Sequence, residues 1–260
     1  MGLVQTALKV YLKFKNLPNP TLSIIIPAYN EEKRLPDTLE QVFSFCAQVD
    51  YTCEILVVEN GSTDRTYNIA RNYADRHPDL KVMCENKAGK GRAVKRGMLT
   101  AKGEFCFMCD ADLSMPTGEI TRFIPPLQGG YEVAIASREA PGAMRYNEPE
   151  YRHLGGRFIN AIIRILALPG LHDTQCGYKC FRREIAADLF SHQTITGWSF
   201  DIELLYIARL RGYRITEIPI PWYFNPESKV KVIRDAIRMI MDICIIRINA
   251  ARGVYEDRPV

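Results

Sequence analysis

The sequence predicts an α/β fold, a doubly wound and mostly parallel sheet flanked by helices. Three observations point there. Short β-branched runs alternate with longer amphipathic segments over about the first 140 residues. The runs are nearly continuous in apolar residues, as strands covered on both faces must be. Polar motifs fall where the runs end, and in such sheets ligands bind at the carboxyl ends of the strands.

Leu22–Pro27, Glu54–Val58, Leu80–Cys84, Phe105–Cys109 and Val133–Ser137 read as strands. Between them Glu32–Val49, Asp64–Arg76, Ala88–Ala101 and Thr117–Leu127 read as helices, with Thr63-Asp64 and Ser114 at starts where their side chains can cap free N–H groups. The second half is less regular. Arg157–Leu168 predicts a helix stopped by Pro169-Gly170, Gly177–Arg182 a strand, Phe200–Arg211 a helix ended by Gly212, and Arg214–Ile218 a further strand. No linker separates the halves.

The last predicted helix, Lys229–Arg252, carries Lys231, Arg234, Asp235, Arg238, Asp242, Asn249 and Arg252 as one polar stripe on an otherwise apolar surface. Such a helix either packs on the core or a partner, or lies half-sunk in a membrane interface. The opening Met1–Lys15 sets Lys9, Lys13 and Lys15 among apolar residues in a second segment of this kind. The expected organisation is thus an amphipathic segment at 1–20, a core domain at 21–228, and an amphipathic helix and tail at 229–260 belonging to the same structural unit.

Composition excludes several classes. With 47% hydrophobic residues and no repeat, the chain is neither disordered nor fibrous. A net charge of +4 on 260 residues is too weak a field for a nucleic-acid binder. Arg164 and Asp242 interrupt the best apolar stretches, so no spanning helix is expected. Eight cysteines without a secretory leader fit reduced thiols in a cytosolic setting. Cys106 and Cys109, three apart on a strand, face opposite sides, and Cys176/Cys180 lacks a matching pair for a zinc site.

Asp110-Ala111-Asp112 closes the fourth strand: two carboxylates that can share a divalent cation, or an Asp-rich turn. Gly89-Lys90-Gly91-Arg92 opens a helix, where close backbone approach, the helix N-terminus and Lys90 favour phosphate. It has neither P-loop spacing nor a dinucleotide-binding fingerprint. Pro27-Ala28-Tyr29-Asn30-Glu31-Glu32 and Glu59-Asn60-Gly61-Ser62-Thr63-Asp64 end the first two strands, as loops fit for a base or ribose or as plain turns with helix caps.

In this order the pieces S-I-I-I-P-A-Y-N-E-E, V-V-E-N-G-S-T-D, G-K-G-R-A and D-A-D resemble the family 2 glycosyltransferases of GT-A fold. Leu168-Pro-Gly-Leu-His-Asp-Thr-Gln-Cys-Gly-Tyr-Lys-Cys-Phe-Arg-Arg and Gly197-Trp-Ser-Phe-Asp-Ile-Glu-Leu-Leu look like the dolichyl-phosphate β-glucosyltransferase branch among the polyprenyl-phosphate enzymes. The resemblance runs from about Leu22 to Arg247. It implies an inverting transfer of a sugar, glucose from UDP-glucose, to dolichyl or undecaprenyl phosphate, with Mg²⁺ or Mn²⁺ at Asp110 and Asp112. Pro27, Tyr29, Glu31, Glu59, Lys90 and Asp110 would bind the nucleotide sugar. Many relatives carry Asp-Asp-Gly-Ser where this chain has Glu59-Asn60-Gly61-Ser62, which shifts the type of the base-contacting acid.

An acceptor phosphate is already ionised near neutral pH, so little general-base help is needed. Asp201 is the candidate basic or orienting group, with Glu203 pointing elsewhere, and Asp112 shares the catalytic role through the metal. Arg138, Arg157 and Lys229 are candidate cations for the anionic acceptor, and Gln175 lies in the family's sugar- or acceptor-site motif. Trp198 either packs on a sugar face or belongs to the core. The expected place is peripheral, at the cytoplasmic face of a membrane, with homo-oligomerisation open. The rival expectations are a soluble family 2 enzyme acting on a glycan, glycolipid or small-molecule hydroxyl, and an inert nucleotide-sugar-binding module.

Overall fold

The computed structural model describes residues 19–112, 114–124, 130–225 and 232–256. Seven strands build one sheet: β1 (Leu22–Ala28), β2 (Cys53–Glu59), β3 (Leu80–Cys84), β4 (Phe105–Met108), β5 (Val133–Ser137), β7 (Lys179–Arg182) and β8 (Ile215–Pro219), in the order β3-β2-β1-β4-β7-β5-β8. All neighbouring pairs run parallel except the two that β7 makes, antiparallel to β4 and β5. β6 (Met144–Tyr146) and β9 (Pro221–Tyr223) form a separate parallel pair that sequence patterning did not reveal, three residues being too short for a periodic signal.

Side chains alternate across the sheet, as the period of two requires. Ile24 and Ile26 of β1 join one core with Val57 and Phe107, while Ile25 joins the other with Leu56, Val58 and Met108. Cys106 and Cys109 do fall into opposite cores. The first core is covered by α1 (Leu35–Gln48), α2 (Thr66–Ala74) and a 3-10 turn (Thr117–Phe123). The second is covered by α3 (Lys90–Thr100), α4 (Glu150–Leu166), α5 (Arg183–His192), α6 (Phe200–Leu210) and α7 (Val232–Ala251). At Gly97 any Cβ would strike Ile25, so α3 lies directly on β1.

Two helices differ from expectation. The predicted Thr117–Leu127 helix is a 3-10 turn ending at Phe123, ahead of Pro125-Pro126, which disfavour helical backbone before them. The helix expected from Arg157 begins at Glu150, so that the Gly155-Gly156 pair lies inside it. The expected end of the first of these at Leu127, the segment Met1–Lys15 and Lys229 all lie outside the described residues.

α7 has an unusual partition of faces. Ile243 and Ile246 are buried against the sheet's helices, and Asn249 donates to Thr194 Oγ1 at 3.2 Å. Ile237, Met241 and Ile248, spaced four and seven apart, are exposed. On α4, which packs against α7, Leu154, Phe158 and Ile165 form a second exposed apolar row. Among the described residues no helix is long and apolar enough to cross a membrane.

Candidate active site

The carboxyl ends of β1, β2 and β4 open into a cleft of about 760 Å³. Its far walls are the middle of α4 and of α7, the first turn of α6, the loop before β7 and the β6–β9 pair.

Lys90 and Asp110 meet on its floor, with Nζ 2.7 Å from Oδ1. Lys90 is placed by the turn before α3. Gly89 has φ of +146°, and a Cβ there would lie 2.5 Å from the Thr196 carbonyl oxygen, so only glycine fits. Burial disfavours the Lys90 ammonium, but Asp110 and then Asp201 outweigh it and hold its pKa above the ordinary lysine value. Its Nζ also lies 5.2 Å from the centre of the Trp198 ring, itself 47% exposed on the cleft rather than in the core.

Asp112 lines the cleft two residues on, its Oδ1 accepting from Ser114 N at 3.1 Å. Burial and the charge of Asp110 raise its pKa. Two crowded carboxylates, one of them already paired with an ammonium, make an oxygen donor set that a hard divalent cation fits. They are too few to hold such an ion unaided, and among the described residues no cluster of three metal-binding side chains occurs. A diphosphate would have to supply further ligands. Gly177, from the loop before β7, presses so closely on Asp110 that any Cβ would collide with Oδ2.

Around this centre the structure sorts the predicted residues. Pro27, Tyr29 and Glu31 line one end of the cleft, Glu31 pairing with Arg34 at 2.6 Å. Glu59 does not line the cleft; it is buried and accepts from the Ser62 amide, shaping the turn, while its neighbour Asn60 lines the cleft with a buried Oδ1 that has no hydrogen-bond partner among the described residues. Gln175 and Arg138 line the opposite side. Arg138 binds Asp173 in a fork, at 2.6 and 2.9 Å, and against the cost of burial this holds the Asp173 carboxyl below its ordinary pKa. Arg157 is exposed on α4 and does not line the cleft.

Asp201, in the first turn of α6, is 4% exposed and lines the cleft. Lys179 Nζ lies 2.9 Å from its Oδ1 and donates to the Cys176 carbonyl at 2.6 Å. Lys179 thus ties the inner oxygen of Asp201 to the loop before β7. Burial, more than the lysines can offset, raises the Asp201 pKa. Glu203 points away, as its spacing from Asp201 predicts. It accepts from the amides of Thr194 and Ile195 and from Tyr255 Oη, pinning the loop whose Thr196 meets Gly89.

Two participants escaped the sequence reading. Arg145 lines the cleft between Glu139 and Glu148, at 2.6 and 2.5 Å, and shares the Trp222 ring with Arg138. Lys179, 1% exposed, did leave a signal: a lysine inside an apolar strand needs a buried partner.

The glycosyl transferase family 2 model matches residues 23–190 of this sequence. The chain belongs to that family. Its family 2 relatives include a dolichyl-phosphate β-glucosyltransferase of Trichomonas vaginalis, 33% identical over 93% of this chain and 77% of that protein. The dolichyl-phosphate β-glucosyltransferase of Homo sapiens is 31% identical over 92% of this chain and 78% of its own length. Among solved family-like folds, glucosyl-3-phosphoglycerate synthase of Mycobacterium tuberculosis, in a complex with Mn²⁺, UDP-glucose and glycerol 3-phosphate, superposes with a TM-score of 0.63. It is 21% identical and covers 88% of this chain and 80% of that one. Mannosyl-3-phosphoglycerate synthase of Rubrobacter xylanophilus superposes with a TM-score of 0.66 at 15% identity, covering 96% and 80%. The fold is GT-A, and this family 2 chain is a glycosyltransferase.

Proposed function

We propose that this enzyme transfers glucose from UDP-glucose to a polyprenyl phosphate, dolichyl phosphate in a eukaryotic setting, with inversion at the anomeric carbon. The observation that carries the reading is the floor of the cleft, where Lys90 and Asp110 stand 2.7 Å apart beside Asp112 at the end of β4. A departing nucleoside diphosphate gathers charge on its β-phosphate, and an ammonium fixed there beforehand stabilises that charge without reorganising. The lipid acceptor is supported by the relatives' names, each a dolichyl-phosphate β-glucosyltransferase.

Asp110 and Asp112 would hold Mg²⁺ or Mn²⁺, which when bound neutralises diphosphate charge. The Mn²⁺ in the glucosyl-3-phosphoglycerate synthase complex supports this. Pro27, Tyr29, Glu31 and Asn60 face the base and ribose end. Gln175 and the Arg138–Arg145–Trp222 wall face the acceptor end, the two guanidiniums being held in place there by Asp173, Glu139 and Glu148. Arg157, exposed on α4, serves the acceptor's head group from outside the cleft, and the sequence offers Lys229 as a further cation for it.

The enzyme works from the surface of the bilayer's cytoplasmic leaflet. α4 and α7 border the cleft and turn their apolar rows, Leu154, Phe158 and Ile165 with Ile237, Met241 and Ile248, outward. Exposed apolar rows on neighbouring helices fit a lipid interface.

The test is a radiolabelled transfer assay: protein, Mg²⁺ or Mn²⁺, UDP- and GDP-sugars, and a short polyprenyl phosphate, extracted into organic solvent. Label entering the lipid phase from UDP-glucose is the expected result. Metal-dependent donor hydrolysis without lipid label from any donor would replace the lipid by a soluble acceptor.

A further inference from the structure

We infer, on the reading of the Arg138–Trp222 wall as the acceptor's side of the cleft, that Glu217 is its positioning residue. Through the turn at His172-Asp173, Glu217 sets the place of Arg138 and so governs how well the acceptor binds.

Glu217 stands at an inward position of β8. Ile215, two residues earlier, packs on one core and Ile218 on the other, so Glu217 shares the face of Ile215. Its side chain is only 11% exposed. A carboxylate held there is costly unless donors surround it. One turn supplies them all. The His172 amide donates to its two oxygens at 3.0 and 2.9 Å, and the Asp173 amide donates to Oε1 at 2.9 Å. His172 Nδ1 lies 2.7 Å from Oε2.

The turn depends on this carboxylate. Among the described residues neither amide donates to a backbone carbonyl, so a side chain must accept from both. The turn in turn carries Asp173, whose buried carboxylate accepts from the Arg138 amide at 3.0 Å and from its guanidinium at 2.6 and 2.9 Å. The Gln175 amide donates to the same carboxylate at 3.3 Å. Arg138, held in this fork, lies 5.3 Å from the centre of the Trp222 ring. A forked pair fixes direction as well as distance, so moving the turn re-aims the guanidinium. Glu217 itself does not line the cleft and acts only through these two links.

The loop before β7 has a second anchor near its other end. Lys179 donates to the Cys176 carbonyl at 2.6 Å, Tyr178 Oη donates to the Met115 carbonyl at 3.0 Å, and Gly177 packs on Asp110. The two anchors divide the loop. Glu217 holds the half with Asp173 and Gln175, and the later anchor holds the half beside Lys90 and Asp110. Disturbing Glu217 therefore weakens the acceptor and spares the donor.

The test separates reach from charge. Glu217→Gln loses the charge but keeps an oxygen where both amides donate. Glu217→Asp keeps the charge and withdraws it by one methylene. Three quantities are measured: KM for a short polyprenyl phosphate at saturating UDP-glucose, UDP affinity by calorimetry, and acrylamide quenching of Trp222. Quenching is read in a Trp198→Phe background, where Trp222 is the only tryptophan. Glu217→Asp is expected to raise the acceptor KM about 10-fold, less than the roughly 100-fold that a misplacement of about 1 Å can cost. Quenching of Trp222 should rise with it, as Arg138 leaves the ring. Glu217→Gln should stay within about threefold of wild type, and UDP affinity within about twofold in both variants. In Arg138→Lys, which cannot form the fork, adding Glu217→Asp should raise KM no further.

Glu217→Asp with a lower Tm but wild-type KM and quenching would make Glu217 a residue of the fold alone and overturn the inference. So would Glu217→Gln losing as much as Glu217→Asp, or a fall in UDP affinity matching the loss of acceptor. A wild type that passes no glucose to the lipid would remove the lipid acceptor, and the Trp222 quenching series would still decide whether Glu217 places Arg138.

Discussion

The ammonium of Lys90 lies 2.7 Å from Asp110 Oδ1, joining the first turn of α3 to the end of β4 beneath the cleft. Lys90→Ala should therefore lose a fixed charge where a diphosphate binds. UDP affinity is expected to fall about 10- to 100-fold, in keeping with about 1.5–3 kcal/mol for a charge-assisted hydrogen bond. Calorimetry at constant ionic strength measures it, and an affinity unchanged within twofold would move the diphosphate elsewhere.

Asp112 should show a conflict between stability and function. Its folded pKa is raised by burial and by Asp110, so ionisation costs the folded state more than the unfolded one. The sign follows: stability from this group is full below the ordinary carboxylate pKa and is lost as pH rises through the raised value. At neutral pH without metal, Asp112→Asn is expected to raise Tm by about 2–4 °C for each kcal/mol relieved. The same variant should lose the Mg²⁺ dependence of UDP binding. A lower Tm would refute the electrostatic reading.

Gly177→Ala places a methyl group against Asp110 Oδ2. The Lys90–Asp110 pair must shift, and a displacement of about 1 Å costs on the order of 100-fold in rate. Far-UV circular dichroism should stay as in the wild type while kcat falls. Full activity would show that the loop before β7 gives way easily.

Glu203→Ala removes the acceptor for the buried amides of Thr194 and Ile195 and for Tyr255 Oη. Stranding buried donors costs about 1–3 kcal/mol each, so thermal unfolding should drop by roughly 5 °C or more. Tyr255→Phe loses one hydrogen bond and should cost about 1 kcal/mol. A larger effect for Tyr255→Phe than for Glu203→Ala would be inconsistent with this network.

Phe158→Asp combined with Met241→Asp should release the protein from anionic liposomes. Each exposed side chain would bury apolar area worth about 1.5–3 kcal/mol in a lipid interface. Flotation reads the loss, and UDP affinity reports that the cleft is intact. Wild type that stays wholly in the soluble fraction would remove the membrane from the account.

The parallel half of the sheet was legible because β1, β2 and β4 are covered on both faces and read as apolar runs. Asp110, Asp112 and Lys90 were legible because strand ends and glycine turns concentrate such chemistry in short motifs. Arg145 was not, since its role depends on a three-residue strand and on Trp222, 77 positions away in sequence and found only by folding. Glu59 and Arg157 show the opposite limit. Each has a suitable side chain in a suitable motif, yet one is spent on a turn and the other faces outward. The direction in which a side chain leaves its loop or helix is a tertiary property.

The reversed strand β7 has an engineering consequence. Because it runs against β4, its beginning reaches the cleft, and the loop carrying Gln175 and Gly177 enters from the side opposite to the loops after β1, β2 and β4. Under the proposed function, residues 27–112 meet the donor's nucleotide and diphosphate, and residues 138–178 supply much of the acceptor side. A chimaera exchanging only the later stretch between two such transferases would inherit one parent's activated sugar and the other's recipient, with β7 as the splice.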